Sequence, residues 1–122
     1  MYDIPQLLDG LNSVITIPII PFRNREIDFA AHRKNVEYLM RQNLLSENRP
    51  RVICVAGTSL IHHVSYEDQN RLVEETAKAM SGDGILLSAI APNPISSAEE
   101  LVQRQLEMDR APDGYLLMPL TG

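Results

Sequence analysis

Four short apolar runs organise this chain: Val14 to Ile20, Val52 to Ala56, Ile85 to Ile90 and Tyr115 to Met118. Each is continuous rather than alternating, which is how a strand reads when both of its faces are covered. Their first residues, 14, 52, 85 and 115, lie roughly 38, 33 and 30 positions apart, the spacing of consecutive βα units. Between the runs lie three segments of helical period. In the first, Asp28 is a plausible N-cap and Phe29, Val36, Leu39 and Met40 share a stripe. The second, from about Tyr66 to Met80, is expected to bury Leu72, Val73, Thr76, Ala77 and Met80. The third starts at Ser96 or Ser97, each three residues before a glutamate, and is expected to bury Ala98, Leu101, Val102 and Leu106. Right-handed crossovers make such a sheet parallel. Two architectures then remain, a small doubly wound sheet or part of a (β/α)8 barrel.

A chain of 122 residues is expected to be one domain. Met1 to Asn12, with Ile4, Leu7, Leu8 and Leu11, reads as an N-terminal lid or short helix under the sheet. No apolar run approaches the ~20 residues that span a bilayer, and the N-terminus lacks a secretion pattern. The expectation is a cytoplasmic protein with no membrane partner. The formal charge is −5, with arginines scattered among the acids, so phosphate backbones find little attraction and no nucleic-acid partner is expected. The lone cysteine, Cys54, sits among apolar neighbours and is expected to be a buried small hydrophobe.

In parallel α/β folds the ligand end lies at the C-terminal ends of the strands. Here those positions are Pro21 and Phe22, Gly57 to His63, Ser88 to Asn93, and Pro119 to Gly122. The second run ends on Gly57-Thr58-Ser59, and Ser65 with Asp68 then opens a helix as a reciprocal capping pair. Gly57 lets a backbone come close to a ligand, while Thr58 and Ser59 offer hydroxyls and N–H groups suited to a carboxylate or a phosphate. The competing reading is a tight turn whose hydroxyls bond their own backbone. His62 and His63 point in opposite directions on an extended segment and lack nearby ligands, so no metal is expected. One of them could serve as a proton shuttle. His32, beside Arg33, is expected to be solvated. The glutamates at 74, 75, 99 and 100 read as helix surface. No Gly-rich phosphate loop is present and no cofactor is expected.

The order of these motifs resembles the dihydrodipicolinate synthase and N-acetylneuraminate lyase family of (β/α)8 barrels. Ile20-Pro21-Phe22 and Arg25-Glu26-Ile27-Asp28 stand where that family has Thr-Pro-Phe and then Ile-Asp. Gly57-Thr58-Ser59-Leu60-Ile61 stands for Gly-Thr-Thr-Gly-Glu, and Val64-Ser65-Tyr66-Glu67-Asp68 for the helix start Leu-Ser-x-x-Glu. Ser96-Ser97-Ala98-Glu99 matches the third helix start, and Ala111-Pro112-Asp113-Gly114 the turn before the fourth strand. The resemblance covers nearly the whole chain and the N-terminal half of the barrel, about four parallel strands and three helices.

What the resemblance implies is a lysine Schiff base with a 2-keto acid such as pyruvate, in a lyase or synthase. In that scheme Thr58 is catalytic, in a proton relay with tyrosines, and Ser59 binds the keto acid carboxylate with Gly57 beside it. The lysine and a relay tyrosine belong to later strands, and the only lysines here are Lys34 and Lys78, both in helical segments. The expectation is therefore an N-terminal fragment, inactive alone, that pairs with its missing C-terminal half or assembles as a homo-oligomer. Leu60 and Ile61 replace the second glycine and the glutamate, Leu120-Thr121 replaces an aromatic pair, and residues near Ser88-Ala89 replace a third-strand glycine. The alternatives are a noncatalytic remnant and a small flavodoxin-like binding or signalling module. The latter lacks the acidic pair and aspartate of a phosphoacceptor, having Pro21-Phe22 and Ser88-Ala89 there.

Overall fold

The computed structural model describes residues 2–42, 49–57, 61–91 and 95–119. In chain order the elements are α1 (Ile4–Gly10), β1 (Ile15–Thr16), β2 (Phe22–Arg23), β3 (Glu26–Ile27), α2 (Phe29–Gln42), β4 (Val52–Val55), α3 (Tyr66–Met80), β5 (Ile85–Ile90), α4 (Ile95–Leu106) and β6 (Gly114–Leu117). A 3-10 turn over Ile61–His63 precedes α3. Four strands form one parallel sheet in the order β1-β4-β5-β6. Each crossover lands on the next strand over, so the order never reverses. A doubly wound sheet reverses at its switch point, and this sheet is built like the first part of a (β/α)8 barrel.

The strands form where the apolar runs predict, with one shortened. Pro18 interrupts the first run, and a residue without an N–H ends a ladder, so β1 pairs only through Ile15 with Val52 and Thr16 with Ile53. The helices follow their caps. Asp28 Oδ1 accepts from Ala31 N–H at 3.0 Å at the head of α2, and Ser65 Oγ accepts from Asp68 N–H at 3.1 Å at the head of α3. Of the reciprocal pair expected there, the structure carries this bond; an aspartate is one methylene shorter than the glutamate that usually reaches back. A complete capping box occurs instead at α1, where Asp3 and Gln6 exchange bonds of 2.9 Å.

β4 and β5 are buried along their whole length. Ile90 packs on Ala98 and Leu101 of α4, so alternation places Leu86, Ser88 and Ile90 on the helix side of β5. Ile85 lies on the other face, over α1: a Cβ on Gly10 would stand 2.5 Å from Ile85 Cδ1. Of the expected lid, Leu7 and Leu11 join the core and Ile4 and Leu8 stay exposed.

Two burial expectations are corrected. Leu106 is exposed, because the inward stripe of α4 runs Ala98, Leu101, Gln105, and Gln105 Nε2 donates to Asn70 Oδ1 at 3.1 Å. His32 is buried rather than solvated, with Nε2 2.7 Å from Thr76 Oγ1 across the α2–α3 contact. Among the described residues no helix is long and apolar enough to cross a membrane.

Candidate functional site

At the C-terminal end of β4 the chain turns within one residue. Gly57 N–H donates to the Val55 carbonyl at 3.0 Å across Ala56, whose φ is +70°. This is a γ-turn with positive φ at its centre, the rarer and strained hand, at a residue that has a Cβ. Backbone held this way costs on the order of 1–3 kcal/mol and clusters at functional sites. Gly57 continues the turn at φ +39°, and a Cβ there would stand 2.9 Å from Ile17 Cδ1. Glycine is needed twice over at this position, for its conformation and for the room it leaves Ile17. The end of the first strand thus props the loop that leaves the second.

Thr58, Ser59 and Leu60 lie outside the described residues, as do Pro92 to Pro94, Leu120 and Thr121. The loop is fixed on both sides of the hydroxyl pair, by Gly57 before it and Ile61 after it. Ile61 is buried in the core, so the position where the resembling family carries a glutamate is here part of the apolar packing. Residues 61–63 form a 3-10 turn rather than an extended segment, and His63 is exposed. Among the described residues no cluster of His, Cys, Asp and Glu could hold a metal ion.

Other candidates are placed away from this end. Ser88 sits in the middle of β5, fully buried on the helix side, and its Oγ has no hydrogen-bond partner among the described residues; the strand runs two residues past it. Cys54 is buried in β4, and burial pushes its thiol up to about 11. Lys34 lies exposed on α2, and Lys78 lies in the last turn of α3, 3.7 Å from Glu75. A surface ammonium with its charge solvated or paired is a poor nucleophile at neutral pH.

Sequence reasoning passed over the β2–β3 hairpin. Phe22 pairs with Ile27 and Arg23 with Glu26, and the two residues between them, Asn24 and Arg25, both have positive φ, +53° and +68°. That is the two-residue hairpin turn whose first position favours asparagine, so Asn24 between alternating residues was the signal available. The hairpin overhangs a cavity of about 410 Å³ at the ligand end, shared with the start of α3. A larger hollow of about 600 Å³ lies between the C-terminal ends of α3 and α4, at the opposite end of the strands, where a barrel is built for stability rather than chemistry.

No protein-family profile matches the chain, and no curated protein matches it significantly. Solved structures do. The chain is similar to N-acetylneuraminate lyase from Mycoplasma synoviae, with a TM-score of 0.77 and 18% identity over 94% of this chain and 38% of that one. It is similar to dihydrodipicolinate synthase from Bacillus clausii, with a TM-score of 0.74 and 25% identity over 91% and 36%. The 4-hydroxy-tetrahydrodipicolinate synthase of Methylacidiphilum fumariolicum gives 0.71 and 27% over 86% and 33%. The fold is that of the first part of the dihydrodipicolinate synthase and N-acetylneuraminate lyase barrel. This chain spans about a third of the length of the synthases and lyases it matches. In the synthase–lyase barrel the β4 turn described above lies at the end of the second barrel strand, because the β2–β3 hairpin stands outside the main sheet.

Proposed function

We propose that this chain supplies the first four strands of a lyase or synthase acting on a 2-keto acid of the pyruvate type through a lysine Schiff base. The lysine amine would attack the C2 carbonyl and expel water, leaving an imine that makes the adjacent carbon acidic enough for carbon–carbon bond making or breaking. Ser59 would hold the keto acid carboxylate with its hydroxyl and backbone N–H, and Thr58 would pass a proton in concert with tyrosines. The observation that carries this reading is the strained turn at Ala56 and Gly57, which closes β4 at the ligand end of the sheet. The nucleophile would come from a strand beyond β6, since Lys34 and Lys78 sit on helices. The edges at β1 and β6 would pair with those further strands.

Borohydride trapping tests this. The chain alone, treated with pyruvate and borohydride, should gain no reduced adduct, whereas the chain joined to the remaining strands of the Bacillus clausii synthase should gain one at a strand lysine. Ser59→Ala in the joined protein should raise the pyruvate concentration needed for trapping by about tenfold, the worth of a charge-assisted hydrogen bond. A reduced adduct on Lys34 or Lys78, or trapping indifferent to Ser59, would contradict the proposal.

A further inference from the structure

The cavity beneath the β2–β3 hairpin combines three features that the keto acid loop does not use. Arg25 of the hairpin and Arg71 of α3 both line it, and among the described residues neither guanidinium forms an ion pair, although Glu26 and Asp68 line the same cavity. Arg71 Cζ stands 4.0 Å from the centre of the Phe29 ring, a cation–π contact that restrains its guanidinium beside the cavity. Phe22 adds an aromatic wall that is 47% exposed.

Arg25 also occupies an unexpected position. The second residue of a turn with positive φ at both centres is ordinarily glycine, yet here an arginine takes φ +68°. A residue with a Cβ resists this conformation. The guanidinium itself is the feature that this placement delivers to the cavity.

We infer that this cavity is a binding site for a small hydroxylated acid, a carboxylate or phosphate ester whose anionic group sits between Arg25 and Arg71 and whose hydroxyls donate to Glu26 and Asp68. Guanidinium forks suit the oxygens of either anion. Carboxylates that repel a bare anion become acceptors once the ligand brings O–H groups, so the mixed charge selects for a hydroxylated acid over a plain one. The volume lies within the range of small-molecule pockets. The site stands apart from the Schiff-base reading, and its readout is binding rather than trapping.

Four matched probes test it by NMR titration of the full chain, following the Arg25 and Arg71 side-chain N–H signals: glycerate, glycerol 3-phosphate, propionate and glycerol. Saturable binding of glycerate or glycerol 3-phosphate is expected, whichever of the two is tighter naming the anion. Propionate, which lacks the hydroxyls, and glycerol, which lacks the anion, should bind about tenfold more weakly or not at all. Arg25→Gly should raise Tm by a few degrees, because it relieves the turn, and weaken binding of the preferred probe about tenfold or more. Arg71→Lys, which keeps the charge and loses the fork, should weaken binding without the gain in Tm. No saturation by either hydroxylated acid, propionate binding as tightly as glycerate, or undiminished binding in Arg25→Gly would each overturn the inference.

Discussion

The middle and the edges of the sheet are made from similar residues and live in different surroundings. Every residue of β4 and β5 is buried, Val52, Ile53, Ile85 and Leu86 completely. On the edges, Leu117 of β6 is 71% exposed, Ile15 of β1 is 42% exposed, and Val14 and Ile19 beside β1 are exposed too. The interior strands therefore find neighbours on both sides within the chain, while among the described residues the edges carry exposed apolar side chains and have a strand partner on one side only. Natural proteins blunt or cover such edges, and a closed barrel abolishes them. The difference teaches where the physical unit is finished and where it is open.

The comparison can be broken most directly at its centre. Ile53→Ala should lower unfolding free energy by about 2–5 kcal/mol, the cost of a buried cavity in a close-packed core, seen as a lower urea midpoint with unchanged slope. Gly57→Ala should cost about 1–3 kcal/mol, from positive φ and the clash with Ile17, in the same titration. Ala56→Gly should move the midpoint the other way, by up to about 1 kcal/mol. At the edge, Leu117→Ser should change the midpoint by no more than about 0.5 kcal/mol and reduce association. A loss at Leu117 as large as that at Ile53 would show that the edge is covered in solution.

Acid sharpens the comparison because the interior contains one group that cannot accept a proton cheaply. Thr76 Oγ1 donates to the Leu72 carbonyl at 2.7 Å, so it accepts from His32 Nε2–H, which leaves Nδ1 as a buried lone pair without a partner among the described residues. Burial lowers the pKa of His32, and the nearby Glu75 only partly opposes this. The unfolded chain takes up the proton near the ordinary value of 6.5 while the fold stays neutral to lower pH. This contribution is thus present above about 6.5 and is lost as pH falls, by at most about 1.4 kcal/mol per pH unit from one proton. Urea midpoints of the wild type and of His32→Gln should converge as pH drops from 7 to 5; parallel curves would contradict this.

The fold was legible because buried parallel strands leave continuous apolar runs, and their spacing left only two sheet types. Strand order decided between them, and order is a long-range property that no local pattern carries. Pro18 was visible in the sequence, yet its effect on β1 depends on which strand lies beside it. His32 was misjudged because its neighbours in sequence are polar while its partner, Thr76, is 44 residues away. At the site, Gly57 was readable as a turn glycine, but the demand that Ile17 places on it comes from the adjacent strand. Arg25 escaped notice since an arginine in a glycine position looks like any surface charge until φ is known.

Sedimentation velocity of the purified chain across a wide range of concentration tests the central claim, that β1 and β6 are open pairing edges. The account predicts concentration-dependent association that Ile15→Lys with Leu117→Lys abolishes while the fold persists. A monodisperse monomer at every concentration would contradict it.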